Sequence, residues 1–314
     1  MKASLPIMAG ILTFSIFFSA CATPAPEAAQ TSKGHITVGS KLDLEGQLLG
    51  QMIIVMLRDR GFEIIDATAF GATNVVRKAL ESGELDIYPE YTGNGAFFFN
   101  EAGDEVWKNL ETGWQRVKQL DMENYAIEWL RPAPVTNDWA IAIPRDFAKQ
   151  EGLETLEDFA AYVNSGGYVK LIASEEFVTS EAALPNFQRA YGFSLSKDQL
   201  ITVASGDTTQ TEKAASEGTD GINAAMAYST DGGLSAFDLA ILRDNKGANP
   251  IYAPAPRIRG EVIKNYPEIA GILNPVFEYL DLETLQSLNE KTAVQGQAPA
   301  MVAEAYLREK GFLE

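Results

Sequence analysis

The sequence is poor in the residues on which most enzyme active sites depend. Its 314 residues include one cysteine, Cys21, and one histidine, His35. A Ser–His–Asp or Cys–His catalytic set would therefore have to use His35, and no zinc ligand set can be assembled. A GxxxxGK phosphate-binding loop is also missing. These absences disfavour an enzyme, although a carboxylate pair that hydrolyses glycosides stays open, because 43 acidic residues can supply one by chance.

Positive charge is scarce as well. Lysine and arginine number 25 against 43 aspartates and glutamates, which gives a formal net charge of −18. Such acidity disfavours binding to nucleic acid or to an anionic membrane surface, and it is compatible with a cationic ligand. Hydrophobic residues make up 46% of the chain, enough for a sizeable core. The length fits one large or two medium domains.

The N-terminus differs in composition from the rest. Lys2 precedes an apolar stretch at residues 5–18 that is too short to span a bilayer, and small residues then lead to Cys21. This pattern predicts a secretory signal peptide over residues 1–20. It also resembles a bacterial lipobox, in which Cys21 is lipidated and anchors the chain to a membrane; a signal peptide with an incidental cysteine is the alternative. Residues 21–34 are rich in Ala, Pro and polar side chains, which predicts a flexible tether.

After the tether, short apolar runs alternate with segments of helical spacing. Strands are predicted at 35–40, 62–65 and 85–88, separated by helices at 43–61 and 71–83. This alternation predicts an α/β fold with a parallel sheet. In such sheets ligands bind beyond the carboxyl ends of the strands, where Lys41 and Tyr91 are expected to face one crevice.

A second α/β unit follows the first. It begins with an apolar strand at 138–144, and residues 259–314 after it show helical spacing. The sequence therefore predicts two lobes, the first formed by 34–136 together with 251–314 and the second by 137–250. The two crossings, near residues 137 and 250, are expected to act as hinges.

Four segments resemble a known family. They are residues 39–41 (GSK), 77–93 (RKALESGELDIYPEYTG), 228–232 (YSTDG) and 250–257 (PIYAPAPR). Together they are similar to the glycine betaine/choline/carnitine-type substrate-binding proteins of osmoprotectant ABC transporters, and the likeness covers most of residues 35–310. The resemblance implies a two-lobed, periplasmic-binding-protein-like α/β fold of type II, with the ligand cleft between the lobes. It also implies an extracytoplasmic monomer without a cofactor, whose partners are a permease and a separate ATPase subunit.

The resemblance also implies a ligand site. In this family a cage of aromatic rings from both lobes surrounds a quaternary ammonium group, and the matching positions are Tyr91, Trp139, Tyr228 and Tyr252. Such a group cannot donate a strong hydrogen bond, so burial and ring faces must hold it, each ring contributing about 0.5–2 kcal/mol when desolvated. For each ring, packing in a turn or in the core is the alternative role.

Two departures from the family pattern affect the other end of the ligand. Asn94 replaces a threonine, so a polar contact beside Thr92 is kept with a different geometry. Ser180 stands where betaine-binding members carry an arginine that clamps the ligand carboxylate. Lys41 is then the remaining candidate cation. The loss of the clamp weakens the case for glycine betaine and favours choline, or a betaine held differently, such as carnitine or ergothioneine.

These observations predict a lipid-anchored solute-binding protein of an ABC importer that carries a quaternary-ammonium compound to its permease. Two alternatives stay open at the level of the sequence. One is the same fold binding another small polar solute, such as an amino acid or a sugar. The other is an extracytoplasmic hydrolase that uses carboxylates.

Overall fold

The computed structural model describes residues 33–204 and 208–313, together with Met1. The predicted signal peptide, the lipidated Cys21 and nearly all of the tether lie outside these described residues. Ser32–Glu314 forms one unit by its internal contacts. In the described part of the chain, no helix has the length and apolar character needed to cross a membrane.

Within the described residues, ten strands form two five-stranded sheets. The first sheet has the order β2-β1-β3-β10-β4, with β1 parallel to both of its neighbours and β10 antiparallel to both of its own. Its strands are β1 (His35–Lys41), β2 (Glu63–Gly71), β3 (Ile87–Tyr91), β4 (Ile127–Trp129) and β10 (Pro254–Arg259).

The second sheet repeats this mixed arrangement with the order β7-β6-β8-β5-β9. Strand β6 is parallel to β7 and β8, whereas β5 is antiparallel to β8 and β9. Its strands are β5 (Trp139–Pro144), β6 (Leu171–Ser174), β7 (Leu200–Val203), β8 (Ala224–Tyr228) and β9 (Leu239–Ile241).

Helices cover both sheets. Helix α1 packs on the first sheet and against the C-terminal helices, in one core that includes Val38, Leu48, Phe277 and Leu307. The second sheet has its own core around Ile141, with helices α5 to α8. The helices are α1 (Leu44–Asp59), α2 (Thr73–Ser82), α3 (Asn94–Phe98), α4 (Leu110–Tyr125), α5 (Arg145–Glu151), α6 (Leu156–Asn164), α7 (Glu175–Thr179), α8 (Leu184–Tyr191), α9 (Thr208–Glu217), α10 (Gly233–Ala236), α11 (Gly260–Asn265), α12 (Glu268–Glu278), α13 (Leu282–Asn289) and α14 (Pro299–Glu309), with short 3-10 turns at Glu105–Lys108, Lys197–Gln199 and Thr219–Gly221 and a π turn at Glu290–Val294.

The prediction of parallel sheets is wrong in part, because each sheet contains an antiparallel strand. Strand β10 was not predicted at all, since Pro254 and Pro256 are unusual in a strand that has neighbours on both sides. Proline lacks an N–H group, and here both residues act as acceptors: their carbonyls receive hydrogen bonds of 2.9 Å from the N–H groups of Ala133 and Leu130. All strands of the first sheet fall in the first predicted lobe and all those of the second sheet in the second. The lobe boundaries themselves stay a prediction.

Candidate functional site

The predicted aromatic residues lie at or beside strand ends. Trp139 begins β5 and Tyr228 ends the antiparallel strand β8, so the two are direct cross-strand partners. Their ring centroids are 4.5 Å apart and their planes are inclined by 32°. Tyr91 ends β3, and Tyr252 lies two residues before β10, which runs antiparallel to β3. The geometry thus gives one ring pair on the second sheet and two rings beside neighbouring strands of the first.

The segment after β3 holds the backbone around Tyr252. The N–H of Thr92 donates to the carbonyl of Ala253 at 3.0 Å, and the Thr92 hydroxyl donates to the carbonyl of Ile251 at 3.0 Å. The same hydroxyl accepts from the N–H of Ala253 at 3.1 Å. At Gly93, an added Cβ would lie 2.8 Å from Cδ1 of Tyr252, so the absence of a side chain lets this ring approach. The predicted site residue Thr92 therefore positions Tyr252 through its backbone.

Glu90 is a fully buried carboxylate next to Tyr91 and is not among the predicted site residues. Its Oε1 accepts hydrogen bonds of 2.8 Å from Nδ2 of Asn94 and from the N–H of Tyr91. The Nζ of Lys41 lies 2.5 Å from the same oxygen and 4.7 Å from the centroid of the Tyr91 ring. Oε2 accepts from the hydroxyl of Tyr88 at 2.9 Å. Lys41 and Asn94 thus meet on Glu90, as a buried charge requires paired and hydrogen-bonding partners.

A second buried carboxyl group is that of Glu45, in the first turn of α1. It accepts a hydrogen bond from the hydroxyl of Tyr91. The distance from that hydroxyl to Oε1 of Glu45 is 2.8 Å, and Nδ2 of Asn137 donates to the same oxygen at 2.8 Å. Nδ2 of Asn289 donates to Oε2 at 2.6 Å. Burial raises the pKa of Glu45, although the hydrogen bonds from Asn289 and Tyr91 oppose the effect. The sequence pattern did not predict Glu45, because its partners lie 46, 92 and 244 residues away along the chain.

Acidic groups lie around the other two tyrosines. Burial is the main reason that the pKa values of Tyr228 and Tyr252 are raised, so both phenols are neutral at pH 7. Neighbouring carboxylates raise them further: Asp43 and Glu176 act on Tyr228, while Asp138 and Glu176 act on Tyr252. A region with this excess of negative charge favours a cation over an anion.

Two further carboxyl groups hold the backbone of these tyrosines. The N–H of Tyr228 donates to Asp231 at 2.6 Å, and the N–H of Tyr252 is 3.4 Å from Oδ1 of Asp138. Burial raises the pKa of Asp138 to about 6 and that of Asp231 to about 7. Both groups therefore titrate well above the usual range for aspartate.

Ser180 forms local hydrogen bonds at the end of α7. Its N–H donates to the carbonyl of Glu176 at 2.8 Å, and its hydroxyl accepts from the N–H of Ala182 at 3.3 Å. The side chain thus stabilises the turn that follows the helix. The contacts of the predicted site residues with a ligand stay predictions.

Comparison with known proteins identifies the family. The model of the substrate-binding domain of ABC-type glycine betaine transport systems matches residues 34–309. The chain belongs to this family. It is therefore an extracytoplasmic substrate-binding component of an ABC transport system and not an enzyme, as the sequence predicted. A component of this kind works with a small-molecule ligand, a permease and an ATPase.

Individual members of the glycine betaine transport family agree with this assignment. The chain is 50% identical over 277 residues to the glycine betaine-binding protein YehZ of Escherichia coli K12, covering 88% of this chain and 91% of that protein. It is 30% identical over 285 residues to a glycine-betaine-binding protein of Pseudomonas aeruginosa, with 89% of each chain covered. The solved structure of apo YehZ from Escherichia coli matches with a TM-score of 0.73, covering 88% of this chain and 99% of that one. The prediction of a two-lobed α/β binding-protein fold is confirmed.

Proposed function

We propose that this protein binds a small quaternary-ammonium compound between the Trp139–Tyr228 pair and the rings of Tyr91 and Tyr252. The observation that carries the proposal is the pair Trp139–Tyr228, because these two tilted rings lie together, 4.5 Å apart between centroids and only partly buried, at one end of the second sheet. Tyr91 and Tyr252 are each 6% exposed at the edge of the first sheet. Rings on both sides of a cleft can enclose a methylated ammonium group that forms no strong hydrogen bond.

The charged groups near the four rings indicate whether the ligand can carry a carboxylate besides its ammonium group. The Lys41 ammonium is held by Glu90, and Ser180 carries no positive charge. The carboxylates of Asp43 and Glu176 lie within electrostatic reach of Tyr228. A ligand carboxylate therefore finds little compensating positive charge, whereas a simple cation is favoured. The glycine betaine specificity in the names of the relatives supports glycine betaine as a ligand, and the local charges support choline.

Delivery and anchoring form the second part of the proposal. Ligand binding would favour the closed form in proportion to its greater affinity for that form, and the closed protein would dock on the permease. The ATP hydrolysis belongs to the partner ATPase, since this sequence has no GxxxxGK loop. The lipobox-like segment that ends at Cys21 supports a lipid anchor on the outer side of a membrane.

Isothermal titration of the purified protein with choline, glycine betaine, carnitine and ergothioneine tests the proposal. Proline and glycine serve as solutes that lack a quaternary ammonium group. At least one methylated compound is expected to bind more tightly than about 1 mM, which corresponds to roughly −4.1 kcal/mol. Binding of proline or glycine alone would favour another polar solute as the ligand. Failure of every methylated compound to bind within this limit would contradict the proposal.

A further inference from the structure

Glu45 connects three separate parts of the chain. Its side chain is buried, and its carboxylate accepts hydrogen bonds from the hydroxyl of Tyr91, from Asn137 and from Asn289. Tyr91 ends β3, Asn137 lies at the first predicted crossing between the lobes, and Asn289 ends α13. These donors are 46, 92 and 244 residues away from Glu45 along the chain.

The contacts of Asn289 extend this network to the second sheet. Besides Glu45, its Nδ2 donates to the carbonyl of Thr230 at 2.8 Å, two residues after Tyr228. On the same helix, Nε2 of Gln286 donates to the carbonyl of Ser229 at 2.9 Å. One carboxylate therefore contacts the hydroxyl of a first-sheet ring and, through Asn289, the turn that follows a second-sheet ring.

The three groups that donate to Glu45 in these bonds are neutral. The bonds from Tyr91 and Asn289 lower the pKa of Glu45 against the effect of burial, and none of the three donors brings a positive charge to the carboxyl group. A hydrogen bond to an ionised acceptor is about twice as strong as one between neutral groups. A phenol that donates such a bond also shifts electron density into its ring, which makes the ring face more negative and a better partner for a cation.

We propose that Glu45 is a positioning and specificity-determining residue of the ligand site, which fixes the Tyr91 ring and strengthens its attraction for a cation. The part that concerns ligands rests on the proposed function. The part that concerns the Tyr91 hydroxyl does not, so it is tested in the protein without ligand. A purely structural role of Glu45 would lower stability without a specific effect on Tyr91 or on cation binding.

The ligand-free test uses NMR of the full chain labelled with [13Cζ]tyrosine. The Tyr91 signal is the one missing from Tyr91→Phe. We expect Glu45→Gln to move it towards the shift of exposed tyrosines, because the strong acceptor is lost. Glu283→Gln, an exposed position on α13, removes the same charge and should leave the signal in place. If Glu45→Gln does not fold, Glu45→Asp withdraws the carboxylate by one methylene and serves the same purpose. An unmoved Tyr91 signal, or an equal movement in Glu283→Gln, would overturn the proposal.

The ligand test is a double-mutant cycle with tetramethylammonium and choline as probes. Glu45→Gln is expected to weaken binding of both by about tenfold, within the range of one desolvated cation–π contact. In a Tyr91→Phe background the same substitution should have a much smaller effect, because the coupled hydroxyl is gone. Equal effects in both backgrounds, or binding by Glu45→Gln within twofold of the unmodified protein, would overturn the ligand part. If the unmodified protein binds neither probe nor any other methylated amine, the proposed function fails, and the tyrosine signal still decides the positioning role.

Discussion

Trp139 and Tyr228 face each other across β5 and β8, with ring centroids 4.5 Å apart and planes inclined by 32°. Phe177 packs behind Trp139 at 5.4 Å between centroids. The pair is therefore supported from the core of the second sheet, and its orientation is fixed by strand register rather than by a loop. Preformed rings bind a cation without the entropic cost of ordering side chains.

Replacing either ring of this pair should weaken ligand binding. For Trp139→Leu and Tyr228→Leu we expect a loss of roughly 1–2 kcal/mol each, or about 5- to 30-fold in the dissociation constant of choline. Tyr168→Leu, at a tyrosine that is 59% exposed, is the matched control and should bind normally. Titration calorimetry measures the affinities, with circular dichroism as a check on folding. Normal affinity in both leucine variants would remove this pair from the site.

The ion pair between Lys41 and Glu90 should contribute strongly to the free energy of unfolding. The two side chains are 10% and 0% exposed, so Lys41→Met leaves a buried carboxylate without its cation. We expect a decrease of about 3–5 kcal/mol in the free energy of unfolding, measured in urea. The additional substitution Glu90→Gln should restore part of the loss. Lys149→Met, at a side chain that is 77% exposed, should change stability by less than about 0.5 kcal/mol. If Lys41→Met matched this control, Lys41 would not be needed to hold Glu90.

Arg257 should be as important for stability as the ion pair between Lys41 and Glu90. It is fully buried, and its guanidinium donates to both oxygens of Asp121 at 2.8 and 2.9 Å and to the hydroxyl of Tyr88 at 3.0 Å. Arg257→Met should cost about 3 kcal/mol, because the buried Asp121 then keeps only Arg77, at 3.2 Å, as a cationic partner. Arg257→Lys should recover little, since an ammonium cannot reproduce the two-point contact. Full recovery by lysine would contradict this account; Arg145→Met, on the surface, is the control.

The carboxyl group of Asp231 should make stability depend on pH. Burial, with a contribution from the charge of Glu45, raises its pKa from 3.8 to about 7 in the folded protein. Between these values the folded state binds more protons than the unfolded state, so this group's contribution to stability falls as the pH rises from about 4 to 7. The slope is at most about 1.4 kcal/mol per pH unit. Asp231→Asn should flatten urea-unfolding free energies over this range, whereas Asp146→Asn, at a side chain that is 96% exposed, should not. An unchanged slope in Asp231→Asn would refute the assignment.

Local patterns in the sequence predict only part of this structure. Parallel pairing of β1 with β3 places Lys41 and Tyr91 at the same sheet edge, as expected from alternating strands and helices. By contrast, the hydrogen bond from Asn289 to Glu45 joins residues 244 positions apart, and no short-range periodicity reports such a contact. Strand β10 was not predicted, because prolines usually indicate that a strand ends. Their carbonyls nevertheless accept hydrogen bonds from the neighbouring segment. The contacts of Asn94 and Lys41 with the buried carboxylate of Glu90 were likewise not indicated by the local pattern, and the ligand contacts of both residues stay predictions.

Comparison of choline with its uncharged carbon isostere, 3,3-dimethylbutan-1-ol, measures the central claim most directly. The two molecules have nearly the same shape, so a difference in their affinities reports the attraction between the rings and the positive charge. If the site is an aromatic cage for a quaternary ammonium, choline should bind at least about tenfold more tightly, within the range of cation–π contacts. Equal affinity for the two compounds, or binding of the isostere alone, would contradict the proposed function.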